Sequence, residues 1–265
     1  MSAGTAATAG SASSSGSAPL PMQGRVVAVA GATGPAGRAA VRALAAAGAT
    51  VACAGTDPRR LDALLDATRR AVPGATVVGQ VLDLLDPQAA GDWSDHIEAE
   101  HGSVDGLIHL VGGWRGSKKF TDIDLSDWDF LHDQLVRTLQ HTTLGFHDAL
   151  LRSPQARFAV VSAAGAAKPT AGNAAYAAAK AAAETWTLSL ADSFRTLVAA
   201  EEQPERAAAA ILVIKALVTD EMRVAKPNAK FAGFTHVDDL ATTITDLWNR
   251  PAADLNGQHL WLTPR

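Results

Sequence analysis

The sequence predicts one α/β domain with a doubly wound parallel sheet of about seven strands and helices on both faces. Short apolar runs alternate along the chain with longer helix-forming segments, which is the pattern of a parallel sheet covered on both sides. A glycine-rich turn directly follows the first apolar run. The body contains no internal repeat and no linker long enough to divide it.

The strands are predicted from short runs rich in valine and other apolar residues, which suit burial on both faces. They are placed at residues 25–30, 50–55, 75–84, 104–113, 156–165, 207–217 and 257–262. The helices are placed at residues 38–48, 57–72, 87–100, 126–151, 173–199 and 235–249. Gly48 is suited to ending the first helix, and Asp57 followed by Pro58 is a start signal for the second.

Composition excludes several classes of protein. Residues 1–23 are rich in serine, alanine and glycine, so a disordered tail is expected before a domain spanning 24–265. That tail has neither a basic start nor an apolar centre, which argues against a signal peptide. The net charge of −4 provides no basic surface for nucleic acid or anionic membranes. Cys53 is the only cysteine, which fits a reducing compartment and a cytoplasmic location.

The turn GATGPAG, residues 31–37, is the first candidate binding feature. Glycines between a strand and a helix let the backbone approach a pyrophosphate, which the helix N-terminus then stabilises. Nucleotide binding is the favoured interpretation, and a structural turn in another α/β fold, such as a methyltransferase, is the alternative.

Tyr176 and Lys180 are the candidate reactive pair. Tyr176 is the only tyrosine, and residues four apart on a helix share one face. A nearby ammonium favours the phenolate, so Lys180 is expected to lower the pKa of Tyr176 from about 10. Ser162, at the end of a strand, is the third candidate, because open parallel sheets bind ligands there.

The order of these motifs resembles that of the short-chain dehydrogenase/reductase (SDR) family, from about residue 25 to the end. The resemblance implies a Rossmann fold and an NAD(P)-dependent oxidoreductase that interconverts an alcohol and a carbonyl compound. It implies that Tyr176 exchanges a proton with the substrate oxygen, that Ser162 hydrogen-bonds this oxygen, and that Lys180 holds the nicotinamide ribose. The cofactor-binding residues it implies are Gly31, Thr33, Gly34, Ala36, Gly37, Asp83, Leu84, Gly112, Lys180 and Thr219.

Several positions depart from the family pattern. Counting 13 residues back from Tyr176 reaches Ala163, whereas the glycine of SAAG selects Ser162, which is the prediction. The family's catalytic asparagine falls at Leu135, its Asn-Asn-Ala-Gly at LVGG (110–113), and its Pro-Gly at Ile214-Lys215. These departures motivate an alternative, a dinucleotide-binding regulator or scaffold with weak or no turnover.

The cofactor, the substrate and the assembly are predicted less directly. The second strand ends in Gly55-Thr56 without an acidic residue, and Arg38, Arg59 and Arg60 are placed to meet a 2′-phosphate, which favours NADP over NAD. The expected partner is a small-molecule substrate. Trp114, Arg115 and Lys118 are pocket candidates or a solvated loop, and residues 231–236 are a candidate lid. No metal site is predicted, and the resemblance implies a dimer or tetramer built on the helices at 126–151 and 173–199.

Overall fold

The computed structural model describes residues 20–202 and 204–264. Most of the predicted tail, residues 1–19, lies outside the described residues. The packed part of the chain begins before the predicted boundary at residue 24, because the Met22 side chain is buried in the core. The Met22 backbone N–H also donates a hydrogen bond to the Ala47 carbonyl at 2.8 Å.

The centre of the fold is a parallel sheet of seven strands in the order β3–β2–β1–β4–β5–β6–β9, and β7 and β8 form a separate parallel pair. The strands are β1 (Val26–Ala30), β2 (Thr50–Gly55), β3 (Val77–Val81), β4 (Gly106–His109), β5 (Ala156–Ala163), β6 (Ala207–Ile214), β7 (Leu217–Val218), β8 (Thr235–His236) and β9 (His259–Trp261). The predicted doubly wound parallel sheet is therefore confirmed.

The helices lie on both faces of this sheet. They are α1 (Pro35–Ala46), α2 (Pro58–Ala71), α3 (Pro87–His101), α4 (Leu125–His132), α5 (Thr138–Arg152), α6 (Ala164–Ala167), α7 (Ala174–Ala200), α8 (Asp220–Ala225) and α9 (Val237–Asp246). Helices α1, α2 and α9 pack into one core cluster, and α3, α5 and α7 pack into the other. The sheet is thus buried on both sides, as its uninterrupted apolar strands require.

Local signals in the sequence explain where several helices begin and end. The Asp57 side chain accepts hydrogen bonds from the backbone N–H groups of Arg59 and Arg60, and Pro58 occupies the first helical turn of α2. Gly102 ends α3 in the left-handed conformation. These caps show that short-range chemistry sets the beginning of α2 and the end of α3.

Several predicted strands are shorter in the structure than in the sequence analysis, and the changes in β4 and β6 shape the candidate site. Strand β4 ends at His109 because its neighbour β1 stops at Ala30, where the chain turns away at Gly31. Strand β6 ends at Ile214 instead of residue 217. Residues 110–113, 215 and 216 lie in loops at the carboxyl edge of the sheet, Leu217 begins β7, and these segments border the candidate site.

Candidate active site

The glycine turn brings the start of α1 unusually close to the sheet. Gly31 has φ of 75°, which favours glycine, and a Cβ there would lie 2.7 Å from the carbonyl carbon of Leu110. A Cβ at Gly37 would lie 2.3 Å from the carbonyl oxygen of Gly31. Gly34 precedes α1, and Pro35 occupies its first turn. The turn therefore leaves a helix N-terminus open to the adjacent cavity, which favours an anionic group there.

A cavity of about 520 Å³ lies beside this turn, where the strand order reverses between β1 and β4. It is lined by the turn, the loop after β4, the end of β5, one face of α7 and the connection after β6. Within residues 20–202 and 204–264, its lining includes two lysines, Lys180 and Lys215, and no acidic side chain. The cavity is therefore electropositive, which suits a ligand that carries phosphates.

Tyr176 and Lys180 both face this cavity from α7, one helical turn apart. The Lys180 side chain is buried, and its Nζ donates a hydrogen bond to the Val161 carbonyl oxygen at 2.6 Å. The same Nζ lies 5.9 Å from the centre of the Tyr176 ring. The structure thus brings together the phenol and the ammonium that the sequence singled out.

Burial shifts both groups away from their ordinary pKa values. It raises the pKa of Tyr176 to about 12 and lowers the pKa of Lys180 to about 8, the latter opposed by the negative charge of Glu184. The sequence led us to expect a lowered pKa for Tyr176. The structure differs because desolvation of the phenolate dominates and the Lys180 ammonium is directed at the Val161 carbonyl.

Ser162 is not brought into the cavity, in contrast to the sequence expectation. Val161 and Ala163 line the cavity, and side chains alternate along β5, so Ser162 lies on the opposite face of the strand. There its hydroxyl donates a hydrogen bond to Glu184 Oε1. Glu184 Oε2 in turn lies 3.2 Å from His259 Nε2, which completes a polar cluster behind the strand.

Ala163, the neighbour of Ser162, lines the cavity at the end of β5. Counting 13 residues back from Tyr176 reaches this alanine, whereas the glycine of SAAG selects Ser162. Residues one apart in a strand lie on opposite faces, so the choice between the two decides the chemistry at the cavity. In the structure, the end of β5 presents a methyl group to the cavity and not a hydroxyl.

Leu135 lies in a π-helical turn, Asp133–Arg137, between α4 and α5. It is buried in an apolar cluster with Leu131, Val136 and Ala179, against which Tyr176 packs. One of its methyl carbons would lie 3.5 Å from a Cβ placed on Gly112. π-Helical turns are frequent at functional sites. Here Leu135 contributes an apolar side chain, with no polar group, to the cluster that packs against Tyr176.

The structure places five of the ten predicted cofactor residues at the cavity and the other five outside its lining. Gly34, Ala36, Gly37, Gly112 and Lys180 line the cavity. The others lie outside its lining, and they are Gly31, Thr33, Asp83, Leu84 and Thr219.

Two of the residues outside the lining make local contacts that explain their positions. Asp83 is exposed beyond the end of β3, and its Oδ1 accepts a hydrogen bond from the Leu85 N–H at 3.0 Å. Thr219 caps α8 and borders a smaller adjoining pocket of about 130 Å³ with Pro35 and Arg38. Both lie on the carboxyl edge of the sheet, at the two sides of the glycine turn.

Two arginines converge beside the glycine turn. The guanidinium groups of Arg38 and Arg60 each donate a hydrogen bond to the Thr33 carbonyl oxygen at 3.1 Å. Gly55, at the tip of β2, lies against the Thr33 side chain. Asp57, the nearest acidic residue in the sequence, is engaged in capping α2. The region next to the end of β2 is therefore cationic.

The sequence analysis missed several polar residues of the site. Asn173 lines the cavity one turn before Tyr176, and Glu184 and His259 form the cluster that holds Ser162.

His109 is buried at the end of β4 between the hydroxyls of Thr138 and Thr142. The i+8 spacing of Glu184 from Tyr176 on one helix is a signal that could have drawn attention to it. His109 and His259 depend on tertiary contacts that spacing does not reveal.

Comparisons with known proteins identify the family. The model of the short chain dehydrogenase family matches residues 25–201, a stretch that covers more than half of the chain and contains the glycine turn, Tyr176 and Lys180. The chain belongs to the short chain dehydrogenase family. A curated short chain dehydrogenase of Pseudocercospora fijiensis (strain CIRAD86) is 31% identical over 171 residues, which span 64% of this chain and 55% of that protein. The match therefore spans little more than half of that relative's length.

Solved structures of other short chain dehydrogenases share the fold. A short-chain type dehydrogenase/reductase from Mycobacterium ulcerans superimposes with a TM-score of 0.80 at 20% identity, covering 92% of this chain and 90% of that one. A short chain dehydrogenase from Shigella flexneri 2a, complexed with NADP, has a TM-score of 0.79 at 20% identity, covering 92% and 99%. An NADPH-bound short chain oxidoreductase from Pseudomonas aeruginosa PAO1, described as containing an atypical catalytic center, has a TM-score of 0.80 at 22% identity, covering 92% and 96%.

Across residues 20–202 and 204–264, no helix is both long enough and apolar enough to cross a bilayer. In the same described part of the chain, no group of three or more histidine, cysteine or acidic residues is arranged to hold a metal ion.

Proposed function

We propose that this short chain dehydrogenase is an NAD(P)-dependent oxidoreductase that interconverts an alcohol and a carbonyl compound, with Tyr176 as the acid–base group. The observation that carries the proposal is the shared cavity of the glycine turn, Tyr176 and Lys180. Gly31 and Gly37 allow the tight turn, because a Cβ at either position would collide with backbone atoms, and the cationic lining suits a dinucleotide. The cofactor, when bound, supplies or accepts the hydride.

Each residue of the pair has a separate role. With a pKa of about 12, the Tyr176 phenol is protonated near neutral pH and can donate its proton to the oxygen of a carbonyl substrate as that oxygen gains negative charge. Lys180 would exchange its hydrogen bond to Val161 for one to the nicotinamide ribose, and its ammonium would stabilise the phenolate left on Tyr176. The apolar cluster around Leu135 excludes water from this side of Tyr176.

NADP is the proposed dinucleotide. The guanidinium groups of Arg38 and Arg60 meet at the Thr33 carbonyl, next to the end of β2, where an adenosine ribose is held in folds of this type. A 2′-phosphate there would gain charge-assisted hydrogen bonds from both arginines. The β2 tip carries no acidic residue that would bind a ribose diol instead.

A dinucleotide-binding protein with weak or no turnover is the second candidate function. It is favoured by Ala163 and Leu135, which place two apolar side chains where this family's pattern has polar groups. The two functions differ in one observable, because the second allows NADPH binding without oxidation or reduction of any carbonyl or alcohol.

A self-association surface is also proposed. Helices α5 and α7 present a groove of about 370 Å³ that is lined in part by Leu144, Trp186 and Leu190. The Leu144 side chain is 67% exposed and that of Leu188 is 40% exposed. We assign this face to a second copy of the chain, which agrees with the assembly that the sequence resemblance implies.

The test of the catalytic proposal compares two hydroxyl deletions. We expect Tyr176→Phe to lower kcat for NADPH-dependent carbonyl reduction about 10²–10⁴-fold, the usual contribution of a positioned acid or base. Ser162→Ala, which removes a hydroxyl on the other face of β5, should leave kcat within about threefold of the wild type. Turnover that survives Tyr176→Phe would overturn the assignment, and full NADPH binding without turnover of a broad carbonyl and alcohol panel would favour the second function.

A further inference from the structure

The proposed reaction leaves the substrate oxygen short of one hydrogen-bond donor. Tyr176 supplies a hydroxyl, but Ala163 at the end of β5 offers only a methyl group, and the Ser162 hydroxyl is directed to Glu184 on the opposite face. An oxygen that gains negative charge in a desolvated cavity is stabilised strongly by each positioned donor, and losing one donor typically costs about 10²–10³-fold in rate. Another polar group of the cavity is therefore needed beside Tyr176.

Asn173 is the side chain in position to supply that donor. It lines the cavity and directly precedes α7, three residues before Tyr176. Residues three apart at the start of a helix lie on neighbouring positions of one face. Among the residues that the structure describes, the cavity has three polar side chains besides Tyr176 and Lys180, and they belong to Asn173, Trp114 and Lys215. Trp114 is largely exposed, and the Lys215 ammonium donates a hydrogen bond to the Ala232 carbonyl oxygen at 3.0 Å.

The orientation of the Asn173 carboxamide is fixed by its local contacts. Its Oδ1 accepts a hydrogen bond from the Thr170 backbone N–H at 2.6 Å, as part of a reciprocal capping arrangement between the two residues. The Asn173 backbone N–H also donates a hydrogen bond to the Thr170 backbone carbonyl oxygen at 3.1 Å. Because the cap uses the oxygen, the NH₂ group is the part of the amide that remains able to donate to a ligand.

Gly165 makes room for that NH₂ group. A Cβ at Gly165 would lie 2.9 Å from Asn173 Nδ2, closer than real Cβ contacts allow. Gly165 also lines the cavity, so Nδ2 lies beside the cavity wall next to the end of β5. The segment is anchored further by the Gly172 carbonyl oxygen, which accepts a hydrogen bond from the Ser117 N–H at 2.8 Å. The amide is therefore a held group, as a preorganised donor requires.

We propose that the Asn173 NH₂ group is the second hydrogen-bond donor to the substrate oxygen, in the role for which the sequence suggested Ser162. The inference rests on the proposed function. When bound, NADPH would supply a hydride to the carbonyl carbon, and the carbonyl π electrons would move to oxygen. Tyr176 would give its proton to that oxygen, so that the products are the alcohol and NADP⁺. Asn173 donates a hydrogen bond throughout and transfers no proton.

The first experiment removes the donor and keeps the cap. Asn173→Asp retains an oxygen that can accept from the Thr170 N–H but has no NH₂ group. With NADPH and 9,10-phenanthrenequinone, together with a panel of aromatic and aliphatic aldehydes and ketones, we expect kcat/KM to fall about 10²-fold. The Kd for NADPH should stay within about twofold. Asn173→Ala, which is neutral and has no side-chain donor, should give a similar loss and serves if the aspartate variant fails to fold.

Rescue distinguishes a catalytic role from a structural one. Ala163→Ser places a hydroxyl on the cavity side of β5, so adding it to Asn173→Asp should recover at least about tenfold in kcat/KM. Reduction by both Asn173 variants within about threefold of the wild type would overturn the inference, as would a loss that Ala163→Ser does not recover. If Tyr176→Phe abolishes reduction and the Asn173 variants do not, only this inference fails. If the wild type reduces no member of the panel, the proposed function and the inference fall together.

Discussion

The chemistry of the candidate site depends on two side chains whose charges burial makes costly. Tyr176 has its pKa raised to about 12, and Lys180 has its pKa lowered to about 8 in the same cavity. At neutral pH the phenol therefore stays protonated and uncharged, while the amine remains mostly protonated but gives up its proton more readily than an ordinary lysine. A dinucleotide would change this balance, because its phosphates favour the Lys180 ammonium and that ammonium then favours the phenolate.

The two arginines that we propose to select NADP can be tested separately. Replacing Arg38 and Arg60 together by alanine should raise the Kd for NADPH about 10–100-fold, because charge-assisted hydrogen bonds to a 2′-phosphate are lost. The Kd for NADH should change little. Arg59→Ala is the matched control, since Arg38 and Arg60 are the two guanidinium groups that reach the Thr33 carbonyl. Titration of protein fluorescence with each dinucleotide measures both constants, and parallel weakening of NADPH and NADH would contradict the assignment.

At this scale the sequence predicted the pair on the helix better than the residue on the strand. Spacing of four residues is enough to place Tyr176 and Lys180 on one face of α7, whatever surrounds them. A strand position is harder to assign, because Ser162 and Ala163 are adjacent and their side chains lie on opposite faces of β5. The pKa of Tyr176 could not be predicted from the sequence either, because it depends on how deeply α7 packs against β5 and the Leu135 cluster.

Among the elements, α7 contributes residues both to the cavity and to the groove that it forms with α5. Its start carries Asn173, its next two turns carry Tyr176 and Lys180, and Glu184 follows one turn later behind β5. Further along, Leu190 lines the groove between α5 and α7, and Leu188 is partly exposed to solvent. One helix thus borders the cavity at its beginning and offers an apolar surface in its middle.

The self-association surface makes a prediction about α5. Leu144→Asp should convert the assembly to monomers in sedimentation velocity at micromolar concentration, because burying a carboxylate in an apolar contact costs several kcal/mol. Val224→Asp on α8 is the control, since Val224 is even more exposed but lies away from the groove. An unchanged sedimentation coefficient for Leu144→Asp, or a wild type that is already monomeric, would refute the α5–α7 contact.

Element boundaries were predictable where caps determine them and not where neighbouring strands do. Asp57 and Pro58 mark the beginning of α2 in the sequence, and the structure confirms the cap. The end of β4 at His109 follows from the end of β1, which a local pattern cannot reveal. The π-helical turn Asp133–Arg137 also carries no clear local signal, because its residues read as ordinary helix formers.

Across the whole molecule, burial on both faces of the sheet places a histidine where it cannot easily take up a proton. His109 ends β4 and contacts the hydroxyls of Thr138 and Thr142 through its two ring nitrogens. Burial, with a smaller contribution from the Lys180 charge, lowers the pKa of His109 to about 3. The folded protein therefore keeps His109 neutral at a pH where the unfolded chain would protonate it.

This difference predicts an acid-sensitive stability. As the pH falls below about 6.5 toward 3, the unfolded state binds a proton that the folded state does not, so the free energy of unfolding should decrease. The expected loss from this residue is about 2 kcal/mol between pH 7.5 and pH 5. Urea unfolding of the wild type and of His109→Asn at both pH values measures it. The variant should show a smaller decrease, and an equal decrease in the two proteins would show that another group is responsible.

The central claim is that the dinucleotide lies between the glycine turn and the Tyr176–Lys180 pair. A crystal structure of the complex with NADP⁺ tests it most directly. We predict the pyrophosphate at the start of α1 beside Gly34 and Gly37, with Lys180 Nζ about 3 Å from a nicotinamide ribose hydroxyl. A dinucleotide bound elsewhere, or a Lys180 that still donates only to Val161 with the ribose out of reach, would contradict the account.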